Sequence, residues 1–342
     1  MKTPKDLGFV FPAEWHKHTS TWLSYPHNEN SWPGKIDTIF PYYNQFIAEL
    51  SKGELVNINV EDETMRDRVA EELMQLGVDM SKIKFHFFRT NDAWCRDHGP
   101  AFVIKANQKA IVNWDYNAWG GKYPCECDNL IPKKIADELG LEMFHPHIVM
   151  EGGSIDVNGK GTLLTTTSCL LNENRNPMLS QAEIENKLCS YYNVDNVIWL
   201  GDGIEGDDTD GHVDDITRFV NEDTVVTVVE EDSNDANYEP LKANLNLLNK
   251  VRLQDGKQLN VVELPMPSAV VWDDMRLPAS YANFYIANKS VIVPTYRCDN
   301  DEKALCILES LFPDRKVVGI DSTDIIWGLG SFHCLSQQEP EI

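Results

Sequence analysis

Positive charge is scarce in this chain. Thirty lysines and arginines stand against 54 aspartates and glutamates, a formal charge of -24. So acidic a protein repels polyphosphates and anionic membranes and gathers cations around it, which argues against nucleic acid as a partner. Long apolar runs are missing too. No stretch approaches the roughly 18 apolar residues of a membrane helix, and the first residues, MKTPKDLGFVFPAEWHKH, lack an apolar core of signal-peptide length. A soluble, cytoplasmic protein without membrane contact is expected. Cysteine is sparse: eight in 342 residues do not make a disulfide scaffold, and without an export signal they are expected to be reduced thiols. Nor does any Ser/Gly/Pro-rich or long charged segment divide the chain, so residues 1–342 are read as one domain.

What is present is an ordinary globular composition, 42% hydrophobic and 10% aromatic. Ile39, Tyr43, Phe46, Ile47 and Leu50 share one helical face over Ile36 to Leu50, and Val56, Ile58 and Val60 then alternate as in a strand. A second helix, Thr64 to Leu76, stops at Gly77, and Ile83, Phe85 and Phe87 alternate after it. Ser180 and Glu183 stand in capping-box spacing before a helix carrying Ile184, Leu188, Tyr191 and Tyr192, with a strand from Val197 to Leu200 behind it. Strands at Ile216 to Val220 and Thr224 to Val229 are followed by a helix near Pro240 to Val251 and a strand at Val261 to Leu264. A helix near Asp301 to Leu311 leads into a strand at Lys316 to Ile320. This succession predicts an α/β protein, and its regular spacing suggests structural repeats.

Four polar segments sit where loops should follow strands: Asn91 to Pro100, Met150 to Asn158, Asp207 to Asp215 and Gly328 to Gln338. Cys334 lies among Gly, Ser and Gln residues, poor core material, which raises the reading of a nucleophile level with that of an inert buried thiol. Gly328 and Gly330 would let the backbone turn sharply and approach a ligand there. His212 is flanked by Asp210, Asp214 and Asp215, carboxylates that favour an imidazolium able to donate a proton to a leaving group. Asp97, Glu151 and Asp214 add acids without metal-ligand spacing. Their natural guest is a guanidinium, whose fork of N–H donors pairs bidentately with carboxylates. Metal motifs fail: His145-Pro146-His147 and Cys125-Glu126-Cys127 have no second pair at zinc-finger spacing, and the calcium-like run from Asp156 ends on Thr167 instead of a glutamate.

Taken in order, Phe11-Pro12-Ala13-Glu14-Trp15, Asn91-Asp92-Ala93-Trp94-Cys95-Arg96-Asp97, Asn117-Ala118-Trp119-Gly120-Gly121, Glu151-Gly152-Gly153-Ser154, Thr209-Asp210-Gly211-His212-Val213-Asp214 and His333-Cys334-Leu335-Ser336-Gln337-Gln338 resemble the agmatine deiminase family. That family belongs to the guanidine-modifying superfamily, which also holds bacterial peptidyl-arginine deiminases. The resemblance implies a pseudo-symmetric five-bladed α/β propeller around an acidic site. It implies Cys334 as nucleophile, His212 as general acid and base, and Asp97, Glu151 and Asp214 as the carboxylates around the guanidinium. Asp208 matches a substrate-contacting position, and Trp94 a tryptophan of the pocket wall. The implied reaction converts agmatine to N-carbamoylputrescine and ammonia, a step of polyamine synthesis, through an S-amidino-cysteine and without metal or organic cofactor. The expected partner is a small cationic guanidine, with a homo-oligomer as the prior for a soluble enzyme.

The family commonly reads Gly-Gly-Gly-Asn-Ile-His before the nucleophile, where this chain has Gly328-Leu329-Gly330-Ser331-Phe332-His333. The connection from Leu264 to Ser280 is also short. Two rivals stand beside agmatine deimination. One is an arginine or peptidyl-arginine deiminase, which would need an arginine such as Arg175, Arg218 or Arg276 at the pocket mouth. The other is a silent polyamine-binding protein, which has no need of a thiol. Agmatine carries a second cation, and Asp207, Asp208 and Asp210 suit it. So many carboxylates should also raise the Cys334 thiol, so activation by the bound substrate or by His212 is expected.

Overall fold

The computed structural model describes residues 2–342. Among these residues one pattern recurs five times: two antiparallel strands, a crossover helix, and a third strand parallel to the second. One unit has strands Ala101–Lys105 and Gln108–Val112, then Glu142–Phe144 behind helix Ile131–Leu139. Another runs through Asp156–Val157, Thr162–Thr166, helix Gln181–Tyr192 and Asn196–Leu200. The next comprises Thr217–Phe219, Thr224–Val229, helix Tyr238–Leu248 and Asn260–Pro265. Tyr285–Ile286, Ser290–Thr295, helix Asn300–Leu311 and Lys316–Asp321 follow.

The remaining unit joins the two ends of the chain. Ser336–Pro340 pairs antiparallel with His18–Ser24, and Leu55–Asn59 lies parallel to it behind helix Ile36–Ser51. A fourth strand, Ile83–His86, extends this sheet after helix Glu63–Gln75. A parallel pair cannot be closed by a tight turn, so each crossover needs a helix, which lies on a sheet face. The middle strands are therefore buried on both sides: Val225, Val226 and Val228 have no solvent exposure. Helix Ile36–Ser51 hides the face read from its sequence, with Ile39, Tyr43, Phe46, Ile47 and Leu50 all buried.

The expected helices and strands are present with ends shifted by a few residues at most. Ser180 and Glu183 form the capping box. Phe87 is an exception: it lies beyond its strand and is half exposed. All four segments expected to be loops carry some regular structure: Met150 to Asn158 holds a 3₁₀ turn, Gly152–Ser154, and the strand Asp156–Val157, and Asp207 to Asp215 ends in a 3₁₀ turn, Val213–Asp215. Asn91 to Pro100 contains a single helical turn, Cys95–His98, and Gly328 to Gln338 ends inside the strand that begins at Ser336. Asn91 to Pro100 is largely buried despite its polarity, and most of its polar groups are paired. Arg96 donates to Glu14 and Gln338, and His98 Nε2 bonds Ser24. All eight cysteines are unpaired thiols. No helix among the described residues is long and apolar enough to cross a membrane.

Candidate active site

Each link from the last strand of one unit to the first strand of the next delivers polar side chains to one place. The link after Ile83–His86 carries Trp94 and Asp97, and that after Glu142–Phe144 carries Glu151. The link after Asn196–Leu200 carries Asp208, His212 and Asp214. Asn283 lies after Asn260–Pro265, and Cys334 after Lys316–Asp321.

Cys334 faces a cavity of about 210 Å³. Asp97, Trp94 and Asp208 line the same cavity, with Asp92 and the rings of Trp119, Tyr123, Trp272 and Trp327, and no lysine or arginine among its walls. Trp94 stacks on Trp32 with ring centroids 5.4 Å apart, and Trp272 packs tilted against Trp327, centroids 4.3 Å apart. Behind the cavity, His212, Glu151 and Asp214 are fully buried.

These groups converge at Gly153. A Cβ there would lie 2.6 Å from His212 Nδ1, 2.9 Å from Asp214 Oδ2 and 2.9 Å from Asp97 Oδ1, so only glycine leaves the junction open. The Gly153 N–H donates to Asp97 Oδ1 at 2.9 Å, while Trp119 Nε1 donates to Asp97 Oδ2 at 2.9 Å. The imidazole of His212 has no hydrogen-bond partner on either nitrogen. Its Nδ1 stands 3.8 Å from Asp97 Oδ1 and its Nε2 3.9 Å from Glu151 Oε2. Burial opposes the imidazolium, but Asp97, Cys169 and Glu151 outweigh it and hold the His212 pKa well above the ordinary value.

The acids differ. Burial raises Asp97, with Asp214 and Glu151 adding to it against His212. Burial also disfavours charge on Glu151 and Asp214, yet His212 and Arg175 keep Glu151 low, and His333, His212 and Arg218 keep Asp214 low. The Cys334 thiol is pushed well above its usual range, first by burial and then by Asp214, Asp215 and Asp97, as the acidic surroundings led us to expect. Its Sγ lies 3.6 Å from Asp214 Oδ2 and accepts a 3.0 Å bond from Asn283 Nδ2.

A family model described as Porphyromonas-type peptidyl-arginine deiminase matches residues 10–340. The chain belongs to that deiminase family. An agmatine deiminase of Ectopseudomonas mendocina is 34% identical, over 99% of this chain and 97% of its own. The structure of the Enterococcus faecalis agmatine deiminase superposes with a TM-score of 0.93 at 34% identity, covering 100% of this chain and 98% of that one. A cysteine-to-serine variant of the C. jejuni agmatine deiminase with substrate bound gives 0.88 at 32% identity, over 97% and 96% of the two chains.

In this deiminase the arginines considered for the pocket mouth are all engaged elsewhere. Arg175 Nε donates to Glu151 at 2.6 Å and its Nη1 to Asp210 at 2.7 Å. Arg218 is held between Glu14 and Asp156, and Arg276 Nη1 donates to both oxygens of Asp235 at 2.6 Å. Two of the acids assigned to a second cation are corrected likewise. Asp207 folds back on its own loop, accepting from the N–H groups of Thr209, Gly211 and His212. Asp210 is tied to Arg175, Lys122 and Asn174, which leaves Asp208 of the three on the cavity wall. The sharp turn before Cys334 is at Leu329, with φ 71°, and the flanking glycines serve close packing instead. A Cβ on Gly330 would lie 2.5 Å from Trp94 Cζ3.

Sequence reasoning overlooked the roles of Asn283, Glu14 and His333. Asn283 Oδ1 accepts from the N–H groups of His333 and Cys334, at 3.1 and 3.3 Å, while its Nδ2 reaches Sγ and Asp215. His333 bridges Asp214 Oδ2 at 2.6 Å and Glu14 Oε2 at 2.8 Å. Glu14 also takes Arg96, Arg218 and the Ile286 N–H, so it fixes three units at once. Glu14 and His333 sit inside quoted motifs, whereas nothing around Asn283 marks it.

Proposed function

We propose that this deiminase hydrolyses agmatine to N-carbamoylputrescine and ammonia, on a single domain whose five units are the blades of a pseudo-fivefold propeller. One observation carries the substrate assignment: the cavity reaching Cys334 is walled by Asp92, Asp97, Asp208 and indole rings, with no basic side chain. Such a wall fits a dication with an apolar linker. An arginine α-carboxylate would find three carboxylates and no cation to pair with there. The agmatine deiminases among the relatives, of nearly equal length, support the same reading.

The roles follow from the chemistry. A guanidinium carbon is a poor electrophile because three nitrogens share its charge, so it has to be held in line with the attacking sulfur. Asp97 and Asp214, aided by Glu151, orient the N–H fork, Trp94 stacks on its face, and Asp208 takes the distal amine. Cys334 gives up its proton to water as the guanidinium arrives, because that cation offsets the carboxylates that hold the thiol up. The thiolate adds to the carbon, and His212 protonates one terminal nitrogen. The C–N bond breaks, ammonia leaves, and carbon stays bonded to Sγ as an S-alkylamidino group. Water then adds with its proton passing to His212, the C–S bond breaks, and the urea departs. The overall balance is agmatine and water giving N-carbamoylputrescine and ammonia.

The test is ammonia release from purified protein given agmatine, arginine and an arginine-containing peptide in parallel, with Cys334→Ala as control. Turnover of agmatine, lost in the variant, is expected. Turnover of arginine or the peptide in its place would move the specificity, and no ammonia from agmatine would sink the assignment.

A further inference from the structure

We propose that Asp115, His145 and His147 form a surface site for a zinc-class dication, separate from the deiminase cavity. In the sequence the two histidines lack a second ligand pair. The fold supplies the third ligand, because Gln108–Val112 pairs parallel with Glu142–Phe144 and so sets the segments that leave both strands side by side. Their backbones stay in register beyond the strands: the Asp115 N–H donates to Ile148 O and the Met150 N–H to Asp115 O, both at 3.1 Å.

The side chains are arranged accordingly. His145 Nε2 lies 2.7 Å from Asp115 Oδ1, with both side chains more than a third exposed. The His147 ring lies against that of His145, centroids 4.1 Å apart. One ligand atom from each of the three residues falls within 4.8 Å of the others. A histidine–aspartate pair would be complete without the third ring, yet His147 is brought to it on a left-handed backbone, φ 58°, uncommon for a residue other than glycine. Two imidazole nitrogens and one carboxylate oxygen are a donor set for Zn²⁺, Co²⁺ or Ni²⁺ and a poor one for Ca²⁺ or Mg²⁺, which want oxygen ligands. Exposure leaves the other coordination positions to water.

A bound ion would clamp the segment that leads to Trp119 against the segment that leads to Glu151, so it should resist thermal opening of both. Ligands that bind only the folded chain raise its melting temperature.

The experiment uses the untagged full-length chain, stripped with chelator and titrated with Zn²⁺ beside His147→Asn and Asp115→Asn. Asparagine tolerates the left-handed backbone at 147, and agmatine turnover serves to check that both variants are folded. Wild type should bind one equivalent more than either variant, and only wild type should gain several degrees of Tm in excess Zn²⁺. With Co²⁺, that extra equivalent should give weak d–d bands and no thiolate charge-transfer band. Equal stoichiometry in all three proteins, or a Co²⁺ spectrum showing thiolate ligation, would overturn the proposal.

Discussion

Asn283 Nδ2 stands 3.0 Å from Cys334 Sγ, and the Oδ1 of the same amide accepts the backbone N–H groups of His333 and Cys334. One side chain thus holds the backbone of Cys334 and offers a proton donor to its sulfur, amid carboxylates that oppose the thiolate. A hydrogen bond to a charged acceptor contributes about 1.5–3 kcal/mol, so Asn283→Ala should lower kcat by about 10- to 100-fold. The readout that separates this from lost packing is the pH dependence of Cys334 alkylation. It should move upward in the variant while circular dichroism stays native. An unchanged pH profile would reduce Asn283 to a structural clamp.

The state of the thiol gives a second prediction. Burial and then Asp214, Asp215 and Asp97 raise Cys334 well above the ordinary thiol value. In free enzyme, iodoacetamide labelling of Cys334, followed by mass spectrometry, should therefore be slow at neutral pH and still climbing above pH 9. A non-hydrolysable guanidine small enough to leave Sγ open should speed it at fixed pH, because its cation counters the carboxylates. Fast labelling that stays flat below neutral pH, without ligand, would mean a preformed thiolate.

Asp208 stands on the cavity wall, and its Oδ2 already accepts a 2.7 Å bond from the Tyr123 hydroxyl. Lys122 Nζ lies 3.4 Å from its other oxygen, so part of its charge is spent before substrate binds. Asp208→Asn should raise KM for agmatine by about 5- to 50-fold, the range of a partly exposed charge-assisted bond. Butylguanidine, which lacks the distal amine, should be turned over equally by wild type and variant. An equal loss on both substrates would place Asp208 with the reacting guanidinium.

The helices were legible because a crossover helix has one wet face, so Ile39, Tyr43, Phe46, Ile47 and Leu50 repeat at helical spacing. Strands such as Thr162–Thr166 are buried along their whole length and show no alternation to read. Cys334, His212, Asp97, Glu151 and Asp214, which the fold brings to one place, were legible as motifs. Asn283 was not, since Tyr-Ala-Asn-Phe-Tyr reads like any buried segment and its meaning lies in a contact with a residue 51 positions away. The same limit hid Asp115 from His145 and His147. Polarity misled at Asn91 to Pro100, where charged residues are sunk in the protein because partners from Glu14 and Gln338 meet them.

Asp128 supplies a pH signature of folding. It caps the start of that buried segment by accepting the Asn91 N–H at 2.7 Å, and it lies 3.7 Å from the unpartnered Nδ1 of His98. Burial pushes its pKa up to about 7, against the two backbone donors that favour the charge. A carboxyl raised on folding binds more protons folded than unfolded, so its contribution is full below pH about 4 and is lost as pH rises through about 7. Asp128→Asn keeps an acceptor for Asn91 and carries no charge to bury. Wild type should lose stability relative to this variant between pH 5 and pH 8, by several degrees of Tm measured in matched buffers. Parallel melting curves across that range would show that Asp128 is ionised in the fold at acid pH.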